Sequence, residues 1–259
     1  MSTFLWDAIA FGPIHSRRLG NSLGINLLPN ERKICSFDCV YCECGWTDRD
    51  HTISDNDFLP STQIVKAIET KIVSCHHNNI AIDSITFAGN GEPTLHPQFA
   101  EIIDRLITIR NQYYPDSVIT CLSNSTQLHR EDVVNALKKI ENPILKLDAG
   151  TEELFQFINN PTIKITQREI VNHLTNFKGI AIIQTLFVRG RVDNLFYDNT
   201  TAENINEWLR NLKMISPKQV MLYSLDRETP HKNLEKVSME ELKEIAKKVQ
   251  DIGFNTTVY

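Results

Sequence analysis

The chain has 259 residues, of which 41% are hydrophobic and 23% charged, as in a globular protein with a buried core. Its net charge of −5 argues against a basic nucleic-acid-coating protein. It lacks both a run of about 18 apolar residues that could cross a membrane and a secretory leader at the N-terminus. We therefore expect a cytoplasmic protein that makes no membrane contact.

Short apolar runs alternate along the chain with segments of helical periodicity. Strands are predicted at 23–28, 82–88, 117–122, 144–147, 180–188, 219–223 and 255–259. Helices are predicted at 62–75, 99–109, 131–140, 152–158, 167–177, 202–212 and 239–250. This alternation predicts an α/β fold with a parallel sheet, built as a partial (β/α)6-type barrel with an extra terminal strand. We expect a single domain over 1–259, with 1–22 as an N-terminal extension and 23–47 as the first strand and a cysteine-rich loop.

The unusual polar segments each follow a predicted strand, where functional groups of β/α barrels lie. The first of them carries Cys35, Cys39 and Cys42 in a CxxxCxxC pattern. Three thiolates on one short loop can hold three corners of an iron–sulfur cube and leave the fourth iron open to a ligand. Together with Cys44 they could instead bind zinc tetrahedrally, although Cys42 and Cys44 are closely spaced for a structural zinc site.

The second predicted strand is followed by the sequence GNGEP, which spans Gly89, Asn90, Gly91 and Glu92. The two glycines permit sharp turns and a close approach of the backbone to a ligand. The carboxylate of Glu92 can support a cationic amine. By itself, the same pattern also fits an ordinary turn from a strand to a helix.

Other polar residues follow the third and fourth strands. Ser123 and Asn124 suit either a ligand contact or a turn cap. Lys146 and Asp148 suit either a ligand contact or an ion pair inside the barrel. Gln184 lies within the fifth strand and approaches the same site if it faces inward.

The cysteine loop, with Tyr41 just before its last cysteine, and the GNGE turn about fifty residues later together resemble the radical S-adenosylmethionine (SAM) superfamily. The opening GPIHSRRLGNSLGI and the later FAGNGEPTLHP, KLDAGTEE and INNP resemble one branch of it. That branch is related to the wybutosine-synthesising tRNA enzymes, and many of its bacterial members have no assigned substrate. The resemblance spans most of the chain.

The resemblance implies one [4Fe–4S] cluster, reductive cleavage of SAM to a 5′-deoxyadenosyl radical, and hydrogen abstraction from a substrate. It also implies an electron donor such as flavodoxin or ferredoxin. The cluster ligands would be Cys35, Cys39 and Cys42. The residues at the SAM site would be Tyr41, Gly89, Asn90, Gly91, Glu92, Ser123, Asn124 and Asp148.

The class of substrate stays open among RNA, a protein or peptide, and a small molecule. The acidic charge and the lack of cysteines before Cys35 argue against tRNA, because the archaeal tRNA enzymes carry a second cluster there. Arg17 and Arg18 suit either an anionic ligand or structural ion pairs. A non-catalytic module that binds a metal or cluster is the alternative from another class.

Overall fold

Strands and helices alternate through most of the chain in the computed structural model, which describes residues 4–192, 195–226, 229, 231 and 233–259. The strands are β1 (Ala10–Ser16), β2 (Gly20–Ile25), β3 (Ser84–Phe87), β4 (Val118–Ser123), β5 (Asn142–Lys146), β6 (Ile182–Val192), β7 (Leu195–Asp198), β8 (Gln219–Ser224), β9 (Leu234–Lys236) and β10 (Thr256–Val258). The α-helices are α1 (Ser61–His77), α2 (Phe99–Tyr113), α3 (Glu131–Leu137), α4 (Glu152–Ile158), α5 (Gln167–Leu174), α6 (Ala202–Ile215) and α7 (Met239–Asp251). No helix in the described ranges has the length and apolar character to cross a bilayer.

The strands form one mostly parallel sheet in the order β1-β2-β3-β4-β5-β6-β8-β10. All neighbours from β2 onwards in this order are parallel, while β1 is antiparallel to β2. The sheet is open, since β1 and β10 are its two ends. The predicted α/β partial barrel with an additional terminal strand is confirmed.

The strands are packed on both faces. β3 is buried along its whole length because α1 and α2 cover its outer face and the barrel interior faces the other. A separate apolar layer of Ile144, Ile182 and Met221 lies inside the barrel, with Leu19 and Tyr259 packed against it. Polar side chains further along the strands therefore face the cavity above this layer.

The predicted first strand at 23–28 is displaced in the structure. β2 starts at Gly20 and ends at Ile25, because Leu28 N–H donates to Asn26 Oδ1 at 3.2 Å and turns the chain away from the sheet. The predicted N-terminal extension at 1–22 contains β1, which makes a hairpin with β2. The aromatic ring of Phe11 occupies the space that a Cβ on Gly24 would need, so glycine permits this pairing.

Two further short strands were not predicted. β7 and β9 both pair antiparallel with the end of β6, which is 11 residues long in all and continues beyond the part that pairs with β8. The apolar run that predicted β6 stops near Val188, so the polar continuation through Arg191 resembled a loop. Pairing with two neighbours keeps this continuation extended.

Candidate active site

A cavity of 610 Å³ occupies the barrel interior towards the C-terminal ends of the parallel strands. Its walls are alternate residues of successive strands, as the two-residue period of a strand requires. They include Thr86 and Ala88 from β3 and its end, Lys146 from β5, Gln184 from β6 and Tyr223 from β8. Gln184 thus faces inward.

Cys35, Cys39 and Cys42 all line this cavity. The loop that carries them turns back on itself, with Cys42 N–H donating to the Cys39 carbonyl at 2.9 Å. Beneath the loop, the buried Lys33 donates to Asp38 Oδ1 at 3.2 Å and to the Gly45 carbonyl at 3.0 Å. This buried pair holds the two ends of the loop together, and sequence reasoning missed it.

The sulfur atoms of two of these cysteines accept hydrogen bonds from the surrounding protein. Cys35 Sγ accepts from Phe37 N–H at 3.4 Å and from Asn124 Nδ2 at 3.6 Å. Cys39 Sγ accepts from Asn159 Nδ2 at 3.5 Å. Donors aimed at sulfur suit thiolates, which are much stronger acceptors than thiols.

Burial raises the pKa of the Cys35 thiol to about 12 and that of Cys39 to about 11. Lys33 opposes the shift at Cys35, and Lys146 does so at Cys39. A hydrogen bond from Cys44 lowers the pKa of Cys42 to about 6. The thiols of Cys35 and Cys39 therefore stay largely protonated at neutral pH unless a metal replaces their protons.

Among the described residues, no three His, Cys, Asp or Glu side chains converge on a point where one metal ion would sit. The thiolates around a [4Fe–4S] cube bind different irons, so they need not converge in this way.

The GNGE turn is joined to the cysteine loop through Ile34. Ile34 N–H donates to the Asn90 carbonyl at 2.9 Å, and Glu92 N–H donates to the Ile34 carbonyl at 3.0 Å. Gly91 has φ +141°, and a Cβ there would lie 1.8 Å from the Ile34 carbonyl oxygen. Glycine at this position is what lets the two cavity walls meet.

Asn90 is fully buried, and each of its polar groups has a partner within the protein. Its Oδ1 accepts from Trp6 N–H at 2.8 Å, while its Nδ2 donates to the carbonyls of Trp6 at 2.9 Å and Pro29 at 2.8 Å. Its backbone N–H donates to Asn26 Oδ1 at 3.1 Å. The side chain therefore holds the N-terminal segment and does not line the cavity, unlike Gly89 and Gly91.

Glu92, Ser123 and Asn124 line the cavity beside the cysteines. Glu92 Oε1 accepts from Ser123 Oγ at 2.9 Å, and Oε2 accepts from Asn124 N–H at 2.6 Å. Burial raises the pKa of the Glu92 carboxyl, and the bonds from Asn124, Thr94 and Ser123 counteract it. These donors hold the carboxylate in place, and a cationic ligand would favour its charged form further.

Tyr41 lines the cavity with its ring and donates its hydroxyl to the buried Asp148. Asp148 also accepts from Asn159 Nδ2 at 2.7 Å and from Leu186 N–H at 2.9 Å. Burial raises the pKa of the Tyr41 hydroxyl, and Asp148 adds to the shift. Lys146 Nζ lies 5.1 Å from the centre of the Tyr41 ring and 3.6 Å from Asp148. Of the two roles that the sequence left open for Lys146 and Asp148, the ion pair inside the barrel is therefore present.

Asn159 is the residue that sequence reasoning most clearly missed. It contacts both Cys39 and Asp148, although 120 residues separate it from Cys39 along the chain. In the sequence it belongs to the INNP segment, which contributed to the family resemblance but was given no place in the site. His96, in contrast, has a structural role, because it joins the start of α2 to the segment before α1. Its Nδ1 accepts from Gln98 N–H at 3.1 Å, and its Nε2 donates to the Leu59 carbonyl at 3.0 Å.

The family model described as "Radical SAM superfamily" matches residues 33–198. The chain belongs to that superfamily. It is 35% identical over 218 residues to the UPF0026 protein MJ1312 of Methanocaldococcus jannaschii, covering 83% of this chain and 62% of that protein. The chain thus spans less than two thirds of this relative's length.

Solved structures share the fold. A radical SAM methyltransferase from Sphaerobacter thermophilus superposes with a TM-score of 0.64 at 15% identity, covering 92% of this chain and 65% of that one. Streptococcus suis SuiB bound to SAM gives 0.61 at 14% identity, covering 92% and 52%. TYW1, a wybutosine-synthesising enzyme, solved with a lysine–pyruvate adduct, gives 0.58 at 17% identity, covering 89% and 73%. The resemblance to this branch is confirmed.

Proposed function

We propose that this protein is a radical SAM enzyme that binds one [4Fe–4S] cluster through Cys35, Cys39 and Cys42. When reduced, such a cluster supplies an electron that breaks the sulfonium C–S bond of SAM, giving methionine and a 5′-deoxyadenosyl radical that abstracts hydrogen from a substrate. The observation that carries the proposal is that the three thiols and the Glu92 carboxylate line one cavity.

The residues present fit an iron–sulfur cluster. The side-chain amides of Asn124 and Asn159 donate to the sulfur atoms of Cys35 and Cys39, where they would stabilise thiolate charge. Lys33 lies against the loop, and the charges of the cysteines raise its pKa despite its burial. The loop therefore has local positive charge and donors to offset the negative charge of a bound cluster.

The residues predicted to bind SAM line different parts of the cavity. Gly89, Gly91 and Glu92 line the cavity where the methionine part would bind, and the Glu92 carboxylate would accept from its amine. Ser123 and Asn124 line the adjoining wall, and the ring of Tyr41 offers a flat surface for adenine. Two of the predicted residues act indirectly in this proposal. Asn90 anchors the N-terminal segment, and Asp148 positions Tyr41.

The electron donor would be a small redox protein such as flavodoxin or ferredoxin, and the chain would act as one cytoplasmic domain. The structure offers little support for an RNA surface made of the arginines in the predicted loops. Arg17 is paired with Asp226 at 2.5 Å, and Arg189 with Glu241 at 2.6 Å. Pairing with acids reduces the positive field that a phosphate backbone would need.

Anaerobic reconstitution with iron and sulfide, followed by reduction in the presence of SAM, tests the proposal. The wild-type protein should bind about four irons per chain and release 5′-deoxyadenosine, and Cys39→Ala should abolish both. Cys75→Ala is the matched control, because Cys75 is a buried thiol of α1 outside the cavity. A colourless protein with zinc, or a cluster whose EPR spectrum ignores SAM, would overturn the proposal.

A further inference from the structure

We propose that the substrate carries an anionic group, a carboxylate or a phosphate, which binds Arg18 inside the barrel, beside the place assigned to SAM. The inference rests on the proposed function and adds the class of substrate. It comes from the SRRLG turn, whose role the cysteine and GNGE motifs do not explain.

The turn between β1 and β2 reaches across the open side of the barrel. Leu19 packs against the apolar layer that contains Ile144, as does Tyr259 at the end of the chain. The preceding residue, Arg18, stacks its guanidinium 4.9 Å from the centre of the Tyr223 ring on β8 and lines the cavity. The turn thus inserts a cation into the barrel interior from the opposite edge of the sheet.

The charges around Arg18 leave it without an acidic partner among the described residues. Arg17 and Lys236 both pair with Asp226, at 2.5 Å and 3.4 Å. Lys146 is offset by Asp148 at 3.6 Å. A guanidinium that is stacked on an aromatic face keeps its edge free to bind a carboxylate or phosphate with two hydrogen bonds.

Gln184 is a second, independent sign of a ligand in the same place. Its side chain is only 5% exposed and lines the cavity, yet within the described residues its amide has no hydrogen-bond partner. Its neighbours in the sheet register are Lys146 and Met221, so it lies two residues along β6 from Ile182 of the apolar layer, towards the C-terminal end of the strand. An amide that faces a cavity and has no protein partner is free to donate to and accept from a ligand or water there.

Together these groups describe a polar site in the part of the cavity around Tyr223. Arg18 would bind the charge, while Gln184 and the hydroxyl of Tyr223 would bind neutral polar groups nearby. A cavity of 610 Å³ is within the range that takes small-molecule ligands. We therefore assign the site to a small polar anion whose reacting carbon lies between Arg18 and the SAM end.

The test uses the reconstituted holoenzyme with SAM bound, and titrates it with sodium phosphate, sodium acetate or sodium chloride at constant ionic strength. Binding is followed by calorimetry in the wild type, Arg18→Gln, Arg18→Lys and Arg17→Gln. Phosphate or acetate should bind the wild type more tightly than chloride. Arg18→Gln should weaken binding by about 10- to 100-fold, as expected for a charge-assisted hydrogen bond, and Arg18→Lys should weaken it less. Arg17→Gln should change it by less than about threefold, because its exposed pair contributes little.

Tighter binding of phosphate or of acetate supports the proposal and identifies the anionic group. Binding no tighter than that of chloride, or equal losses in Arg17→Gln and Arg18→Gln, overturns it. The same wild-type preparation is assayed for 5′-deoxyadenosine. If that product forms while the anions fail to bind, only the anion site is wrong; if no cluster assembles, the proposed function itself fails.

Discussion

Replacing Asn90 by alanine should release the N-terminal segment from the cavity wall. The change removes three partly buried hydrogen bonds of 2.8–2.9 Å, two to the backbone of Trp6 and one to that of Pro29. At about 0.5–1.5 kcal/mol each, the three bonds together amount to about 2–4 kcal/mol. Phe4 and Trp6 line the cavity, so their release would open it to solvent.

Hydrogen exchange followed by mass spectrometry measures this opening directly. Peptides from residues 4–12 should exchange about 30- to 1,000-fold faster in Asn90→Ala, which is the same free energy expressed as a ratio. Asn78→Ala is the control, since its side chain makes one exposed bond of 2.7 Å at the end of α1. Unchanged protection of this segment in Asn90→Ala would refute the assignment of Asn90 as its anchor.

Three further predictions concern Gly91, Asn159 and His96. Gly91→Ala should cost roughly 4 kcal/mol or more in urea unfolding, because its Cβ would overlap a backbone oxygen. Gly179→Ala, with φ +72° but open space, should cost only about 1–2 kcal/mol, and equal costs would contradict the clash. Asn159→Ala should make the cluster potential more negative in a redox titration, since a donor to Cys39 is lost; an unchanged potential would rule out that contact. Burial lowers the pKa of His96, so its stabilising contribution is complete above about pH 6.5 and is lost as the pH falls towards the folded-state pKa. The stability gap between wild type and His96→Gln should therefore narrow from about pH 7.5 to pH 5.5 in urea unfolding, and a constant gap would contradict it.

The structure also shows which parts of the site were accessible to sequence reasoning. The thiols of Cys35, Cys39 and Cys42 could be grouped because eight residues of one loop contain them. The GNGE turn could be placed near them because the ends of neighbouring parallel strands meet at one edge of the sheet. The direction of the Asn90 side chain, within the same turn, could not be derived from the sequence, because it depends on the segment around Trp6.

The sequence by itself determined the alternation of strands and helices, the parallel sheet that this alternation implies and the grouping of three cysteines on one loop, because each depends on residues that are close along the chain. Only the tertiary structure decided the partners of those residues. Asn159 reaches Cys39, and Arg18 reaches Tyr223, through the curvature and register of a sheet that brings distant segments together. Contacts of this kind depend on the packing of the whole barrel, and local sequence patterns do not encode them individually.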